Sequence, residues 1–398
     1  MKPHKFLSVC VLLLLSVVLR GQQLQVSLSD SAFASLLTCS AGNDFYTTFG
    51  HSAIRVCDPA VGMDIVYNYG VFDFDTPHFY WKFACGNLNY CLARTSFEHF
   101  IWGYAEEGRS VQEQRLRLTS QELNNLFVLL ETNYLPQYRY YRYDFFKDNC
   151  ATRVRDIING CLSHRTAFVP REVPQARTYR QLLRGYTEND LLWWQNGIDM
   201  LLGMRCDRKC NSMEYMFLPI ELSCQLDSAQ TVTLSEHGDS ESLPISYGAT
   251  TLLPASAQTN TEQCHPWTNP VIIFWGLMFL VLALSVMAGV WDWNISWLDV
   301  VLFVLMAVAS LFILFFWIVS SYDCTKWNLN ILWASPLFFY FAVRPNSSPL
   351  WLWIVQMVML TAALIVGFTG VQSIPHIAYP IILTLYIRIV SKILNHRK

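Results

Sequence analysis

Charged residues are unevenly distributed along this 398-residue chain, and their distribution limits which parts can fold in water. The sequence has 28 Lys and Arg residues and 30 Asp and Glu residues, but only nine of these follow Asn269. Because charged side chains are costly inside a bilayer, this drop in charge indicates a change of solvent. We therefore predict a water-exposed region before residue 270 and an all-α, multi-span transmembrane domain over residues 270–398.

Five apolar runs divide the C-terminal region. They cover residues 270–290, 298–320, 329–343, 351–370 and 374–393. The first run is long enough to cross a bilayer, which takes about 20 helical residues. The third run is short, and Pro375 and Pro380 interrupt the fifth, so we predict about five spans, with four or six as alternatives. We assign no catalytic role to the polar residues Asn328, Asn330 and His376.

The two ends of the chain indicate export and membrane orientation. Residues 1–21 have basic residues, then the apolar run Phe6 to Leu19, which is typical of a secretory signal or an uncleaved anchor. At the other end, Arg388, Lys392, Arg397 and Lys398 form a basic cluster. Since cytoplasmic loops are rich in Lys and Arg, five spans predict an exported N-terminal domain and a cytoplasmic C-terminus.

Export affects how the twelve cysteines are interpreted, because disulfides form in oxidising compartments. Possible disulfide partners are Cys39, Cys57, Cys85, Cys91, Cys161, Cys206, Cys210, Cys224 and Cys264. Their connectivity cannot be deduced from sequence. Cys206 and Cys210 lack a second pair at zinc-site spacing, so a disulfide or two thiols is favoured over a metal site.

Residues 22–222 combine helical and strand patterns, which predicts an α+β domain. Alternating runs at 51–56 and 64–69, with Asp58, Pro59 and Gly62 between them, indicate a β-hairpin, and further strands are expected over 88–93 and 110–118. Helices are predicted after the capping box at Thr119 and after Thr187. Residues 223–269 are predicted to form a β-rich juxtamembrane segment or linker.

Cys150 has the setting of a reactive thiol. It follows Asp148-Asn149 and precedes apolar residues at helical spacing, which predicts that it lies in the first turn of a helix. A helix N-terminus lowers the pKa of a thiol and offers N–H groups that can hold an oxyanion. His51 begins a predicted strand and could serve as the base. The alternatives are a disulfide-bonded or buried cysteine and a purely structural histidine.

The segments around these two residues resemble a known family. Gly50-His51-Ser52-Ala53 followed by Asp148-Asn149-Cys150 resembles the permuted papain-like superfamily, related to NlpC/P60 proteins, which includes lecithin:retinol acyltransferase. The patterns TTFGHSAIRV, VYNYGVFDF, YDFFKDNCATRVRDII, NGIDMLLG and EYMFLP are similar to the Lnb-type lipoprotein N-acyltransferases of Bacteroidetes. The resemblance implies a periplasmic, papain-like thiol acyltransferase domain joined to a multi-span domain in the bacterial inner membrane.

The resemblance also implies a chemistry. Cys150 would take an acyl chain from a phospholipid as a thioester, with His51 as base and then acid, and pass it to the α-amino group of a diacylated lipoprotein. Asn68 is our first choice for the residue that orients His51, with Tyr143 and Asp148 as rivals, although Asp148 is favoured as the helix cap. The candidate substrate-binding residues are Arg153, Tyr143 and Asn149, with Arg155 as a second possible phosphate ligand.

Two other functional classes remain open. Relatives with the same Cys–His pair cleave peptidoglycan peptides, so a membrane-anchored endopeptidase is one alternative. A non-enzymatic envelope module with a structural Cys150 is the other. The net charge of −2 gives no indication of a nucleic-acid partner, and we expect neither a cofactor nor a metal.

Overall fold

The structure is a computed structural model that describes residues 27–162, 166–173, 175–187, 191–234, 240–256 and 266–395. The predicted signal or anchor at residues 1–21 and the cysteine at 264 lie outside these described residues. The described chain forms an N-terminal domain that mixes helices with an antiparallel sheet, followed by a helical C-terminal region.

A seven-stranded antiparallel sheet forms the centre of the N-terminal domain. Its strands are β1 (Phe33–Cys39), β2 (His51–Asp58), β3 (Met63–Val71), β4 (Asn89–Ser96), β5 (Val111–Leu116), β6 (Tyr140–Arg142) and β10 (Ser246–Leu253). Their order across the sheet is β10-β5-β1-β2-β3-β4-β6. The predicted strands at 51–56, 64–69, 88–93 and 110–118 are confirmed, with ends that differ by a few residues. A smaller sheet joins β7 (Thr166–Val169), β8 (Gln230–Leu234) and β9 (Ser240–Pro244).

The predicted hairpin between β2 and β3 follows from its turn residues. The Asp58 side chain accepts a hydrogen bond from the Ala60 N–H, and Pro59 begins a single helical turn. Gly62 ends that turn with φ 65°, a conformation that costs little only without a Cβ. The two strands then pair with Ala53 opposite Asn68, so the position of the turn fixes which residues face each other near His51.

Helices cover both faces of the sheet. The α-helices in the described part of the N-terminal domain are α1 (Phe79–Ala84), α2 (Phe97–Glu106), α3 (Ser120–Tyr134), α4 (Cys150–Cys161), α5 (Tyr179–Arg184), α6 (Leu192–Leu201), α7 (Ser212–Tyr215) and α8 (Pro219–Ser228). The capping box at Thr119 is confirmed at the start of α3. On one face, Leu126 and Val154 pack with Ile54 in the main core. On the other face, Phe100 of α2 packs against Ala53 and Val66.

The segment predicted as a β-rich linker is closely integrated with the N-terminal domain. The predicted boundary at residue 222 falls inside α8. Beyond it, β10 pairs with β5 at the edge of the seven-stranded sheet, and β8 pairs with β7 from before the boundary. Strand alternation in this segment indicated β structure, and β8 does pair locally with β9. The partners outside the segment, β7 and β5, lie more than 60 residues earlier and could not be found from local pattern.

Among the described residues, the C-terminal region has five α-helices: α9 (Pro270–Val290), α10 (Ser296–Leu314), α11 (Leu337–Val343), α12 (Leu350–Thr369) and α13 (Ala378–Asn395). Within the described residues, three helices, 270–290, 296–319 and 350–369, are long and apolar enough to cross a membrane. The predicted third span is instead a short 3₁₀ turn at Leu329–Leu332 and the seven-residue α11, separated by Pro336. The fifth run forms α13, which carries Arg388 and Lys392.

Side-chain contacts at the two ends of this region fit the predicted five passes, which stay a prediction. At the end near the N-terminal domain, which we call the domain end, Gln372 bonds to Asn328 across 3.1 Å. At the opposite end, the far end, Asn346 accepts from Ser296 across 3.2 Å and from Lys392 across 2.7 Å. Residues 329–343 therefore connect the two ends although α11 is too short to span alone.

A buried ionic cluster stabilises the far end. Asp299 of α10 is fully buried and accepts hydrogen bonds from Arg388 of α13 at 2.6 and 3.0 Å. Lys392 lies 2.6 Å from the same carboxylate, and Arg388 also bonds to Ser285 of α9. Because a lone charge in such a place would be costly, pairing across three helices fixes their relative positions.

A second buried network joins the two domains through the segment NGIDMLLG. Arg180, which is 1% exposed, bonds to Asp199 and to the carbonyl oxygens of Leu202 and Gly203. From the membrane side, Asn328 and Asn330 donate to backbone carbonyls of the same segment at 2.8–3.1 Å. This network attaches the N-terminal domain to the domain end of the helices.

Gly203 provides a test of this attachment. A Cβ there would lie 1.8 Å from the carbonyl oxygen of Lys326, whereas a Cβ at Gly197 in α6 would meet nothing within 4 Å. We expect Gly203→Ala to separate the contact and lower the melting temperature of the full-length protein in detergent by several degrees, since overpacking costs about 1–3 kcal/mol. Gly197→Ala is the matched control and should leave the melting temperature unchanged or higher. Equal melting temperatures for both variants would contradict this account.

Chain orientation can be tested with alkaline phosphatase, which is active only outside the cytoplasm. If the chain crosses the membrane five times, a fusion after residue 372 should be active, because this residue is at the domain end, on the same side as the periplasmic domain. Fusions after residues 348 and 398 should be inactive, because they follow the far end. If only the three long helices crossed the membrane, the fusion after residue 348 would be active and the fusion after residue 372 inactive.

Candidate functional site

Cys150 is the first residue of α4, as predicted. The N-cap is Asn149, whose side chain accepts hydrogen bonds from the N–H groups of Ala151 and Thr152, both at 2.9 Å. Thr152 completes the capping box by accepting from the Asn149 N–H. The assignment of Asp148 as the cap was wrong, because the chain enters the helix one residue later. The thiol is therefore fixed at the positive end of the α4 dipole.

The surroundings of Cys150 lower the pKa of its thiol. Burial acts in the opposite direction and is the largest effect, because it disfavours the thiolate. The charge and hydrogen bond of His51, together with the N–H groups of Ser52 and Ala151, outweigh burial and bring the pKa below its ordinary value. The thiolate, which is the nucleophilic form, is thus more abundant at neutral pH.

Other cysteines in the described chain show the opposite shift. Burial raises the pKa of Cys39, Cys161, Cys206 and Cys210 to about 12 in each case. All ten cysteines in the described residues are free thiols, including the pair Cys206 and Cys210. Those buried thiols remain protonated, which separates Cys150 chemically from the cysteines around it.

His51 reaches the thiol from the first position of β2. Gly50 precedes it with φ 77°, and a Cβ at Gly50 would lie 2.7 Å from the carbonyl oxygen of Cys39. Only glycine fits this close approach, which turns the chain into the strand. The Nε2 atom of His51 lies 3.3 Å from the side-chain oxygen of Asn68 on β3. The structure therefore brings together the three residues that the sequence analysis selected as catalytic.

Tyr143 contacts the thiol of Cys150. Its hydroxyl hydrogen-bonds to Cys150, and burial followed by the charge of Cys150 raises the tyrosine pKa well above its ordinary value. Tyr143 therefore stays protonated and can donate to an anion beside the sulfur. This placement fits the predicted role in substrate binding better than the rival role of orienting His51.

Gly70 is a site residue that the sequence analysis missed. It has φ 87°, and a Cβ there would lie 3.4 Å from the ring of Tyr143 and 3.5 Å from Cβ of Cys150. The absence of a side chain keeps the space between these two residues open. The signal was present in the segment VYNYGVFDF, where a glycine interrupts an otherwise strand-like pattern and marks an irregular pairing between Asn68 and Val71.

The remaining predicted residues make internal contacts. Arg153 forms two hydrogen bonds with Asp148, at 2.5 and 2.8 Å, and its guanidinium lies 3.5 Å from the centre of the Tyr141 ring. Arg155 bonds to Asp156 and to the carbonyl oxygen of Met213. Both guanidinium groups thus make contacts within the domain, and the Asp148 carboxylate is bound by Arg153.

Asn149 is also fully engaged. Its amide nitrogen donates to the carbonyl oxygens of Phe145 and Phe217, both at 2.8 Å, while its oxygen accepts the two capping bonds. The residue is 4% exposed. With both amide groups used, its observed function is to hold the start of α4, which differs from the predicted contact with substrate.

Within the described residues, no group of His, Cys, Asp and Glu side chains could hold a metal ion.

A thiol with a lowered pKa, a histidine and an asparagine meet in an α/β domain that is attached to membrane-type helices. These features define a membrane protein with a potential Cys–His site at the domain end. The chain belongs to the Lnb family: residues 22–185 match the Lnb N-terminal periplasmic domain, and residues 261–398 match the Lnb transmembrane domain. No curated protein and no solved structure matches the chain. The family match places the N-terminal domain in the periplasm and the C-terminal helices in the membrane.

The titration of Cys150 can be measured by alkylation with iodoacetamide, because only the thiolate reacts. Since the thiol pKa is lowered, the rate for Cys150 should rise with pH through a midpoint below the ordinary value for cysteine. His51→Ala should move that midpoint to higher pH, because it removes the charge and hydrogen bond that favour the thiolate. Cys224, which is exposed and has a raised pKa, provides an internal reference. An unchanged midpoint in His51→Ala would contradict the assigned cause.

Proposed function

We propose that this protein is a lipoprotein N-acyltransferase. It moves an acyl chain from a phospholipid, through a thioester on Cys150, to the α-amino group of a diacylated lipoprotein. The observation that carries the proposal is the lowered pKa of Cys150 at a helix start beside His51. Membership of the Lnb family and the attachment to membrane helices support a substrate that carries lipid chains.

The first half-reaction forms the thioester. His51 takes the proton of the Cys150 thiol, and the thiolate attacks the ester carbonyl carbon of the phospholipid. The carbon–oxygen bond to the glycerol then breaks, and the leaving oxygen takes the proton from His51. The products are acyl-Cys150 and a lysophospholipid, and His51 is neutral again.

The second half-reaction forms the amide. The acceptor's α-amine attacks the thioester carbonyl and loses a proton to His51, and the bond between carbon and sulfur breaks. The thiolate of Cys150 regains its proton from His51. In both halves Asn68 holds the imidazole in orientation, and the Tyr143 hydroxyl is suited to stabilise the oxyanion. We do not assign Asn149 or Arg153 to substrate, because their polar groups already have partners.

The location of the site supports lipid substrates over peptidoglycan peptides. A cell-wall endopeptidase needs at most one anchor, whereas here the N-terminal domain contacts several segments of the membrane region. Lys147 pairs with Asp323 at 2.9 Å, and Ser321 bonds to the backbone of Cys85. We propose that the C-terminus is cytoplasmic, so that Cys150 is held on the periplasmic side, close to lipid.

A thioester intermediate predicts ping-pong kinetics, because one thiol can serve donor and acceptor only in turn. Incubated with phospholipid alone, the purified full-length protein should gain one acyl mass on the Cys150 peptide and release lysophospholipid. Hydroxylamine should remove the acyl mass, and a diacylated lipopeptide with a free α-amine should accept it as an amide. Mass spectrometry of the protein and the lipopeptide provides the measurement.

Variants make this experiment specific. Cys150→Ser and His51→Ala should abolish acyl transfer with the protein still folded in the membrane, while Asn68→Ala should lose about ten- to a thousandfold, since an orienting residue contributes less than the nucleophile. An N-blocked lipopeptide should leave the acyl-enzyme intact. Transfer that requires both substrates at once, or cleavage of peptidoglycan stem peptides in place of acylation, would overturn the proposed function.

A further inference from the structure

A continuous set of aromatic side chains leads away from Cys150. We call it the aromatic wall, and it consists of Phe72, Phe79, Phe83, Tyr90, Phe145 and Tyr322. Tyr143, which bonds to the thiol, stacks on Tyr90 with ring centres 4.5 Å apart and lies 5.7 Å from Phe145. The wall therefore starts at the residue that touches the nucleophile.

The wall ends at the membrane domain. Phe145 and Phe83 both contact Tyr322, with ring centres 4.7 and 6.4 Å apart. On the same helix as Phe83, the ring of Trp81 lies 5.4 Å from Phe315, in the final turns of the apolar helix 296–319. An apolar surface thus extends from a membrane-type helix to the thiol.

Helix α1 forms the outer side of this wall and is hydrogen-bonded to the membrane region at its C-terminal end. The Ser321 hydroxyl donates to the carbonyl oxygens of Cys85 and Gly86. The Tyr322 hydroxyl donates to the carbonyl oxygen of Phe83. Its N-cap, His78, has φ 59°, which is unusual for a residue other than glycine. Tyr80 and Trp81 remain 80% and 61% exposed. Exposed aromatic residues next to a span are typical of the membrane–water interface.

We propose that the aromatic wall is the binding site for the acyl chain of the donor phospholipid. The chain enters from the outer leaflet at Trp81 and Phe315 and lies along the wall, so that its ester carbonyl reaches Cys150. Because Cys150 is only 8% exposed and Tyr322 only 4% exposed, the rings of α1 move aside as the chain enters. This inference rests on the proposed function, since it names where that reaction binds its donor.

Photocrosslinking tests the binding site without requiring turnover. The probe is a phosphatidylethanolamine with a diazirine in the half of one acyl chain that is next to the ester, in nanodiscs that contain full-length Cys150→Ala protein. We expect crosslinks in the peptides that contain residues 72–83 and 143–145, which lie outside the apolar helices. Crosslinks confined to the helices 270–290, 296–319 and 350–369 would overturn the inference.

A charge at the proposed entrance gives a second test. Trp81→Glu should slow acylation of Cys150 by long-chain phospholipid at least tenfold, while acylation by the soluble ester p-nitrophenyl acetate stays within about twofold of wild type. Trp102→Glu is the matched control, because Trp102 is 59% exposed on α2 and is not part of the wall. It should leave both rates unchanged. Equal loss with both donors, or no loss with either, would contradict the inference.

The two tests separate this inference from the proposed function. If the wall is crosslinked but the wild-type protein never forms acyl-Cys150, the proposed transferase chemistry fails and the lipid site stands. If acyl-Cys150 forms but no crosslinks appear on the wall, the chemistry stands and the donor binds elsewhere. A lipopeptide that carries the same diazirine and labels the wall more strongly than the phospholipid would assign it to the acceptor.

Discussion

The attachment of the N-terminal domain to the membrane helices depends on the buried contacts of one short segment. Arg180 fixes the carbonyl oxygens at the end of α6 from one side, and Asn328 and Asn330 bind the same backbone from the other. Gly203 allows the chains to approach so closely that a methyl group would overlap Lys326. Because these groups are buried and paired, the contact is specific in position, and it holds the N-terminal domain at the domain end of the helices.

The candidate site combines this global constraint with local ones. Asn149 and Gly50 fix the ends of α4 and β2, and the hairpin register puts Asn68 beside His51. Each of these contacts lies within the N-terminal domain. The attachment brings a residue of the membrane region close to the thiol. Tyr322 contacts Phe145, which packs against Tyr143, and also contacts Phe83. The proposed chemistry would thus depend on the N-terminal domain, and the proposed access to lipid on both domains.

The same distinction explains what could be predicted from sequence. The strand that begins at His51 and the helix that begins at Cys150 have short-range signals, namely alternation, a capping residue and apolar spacing, and both were predicted. Asn68 was selected because it lies on the strand next to that of His51, and the structure places it 3.3 Å from the imidazole, while its role stays a prediction. Two features depend on contacts between distant segments: the pairing of β10 with β5 and the hydrogen bonds of Asn330. The third predicted span is broken because a proline lies within its apolar run. No local pattern of residues 246–253 indicates a partner at residues 111–116.

The position of β10 has a consequence for the order of folding during export. The strand β5 has β1 on one side and obtains its second neighbour only from residues 246–253, close to the start of the first apolar helix. While the chain is being translocated, β5 is an open edge whose N–H and C=O groups can pair with other chains. The last strand before the first apolar helix therefore covers β5 and itself becomes the outer edge of the completed sheet. A chain truncated before residue 246 would be exported with an aggregation-prone edge.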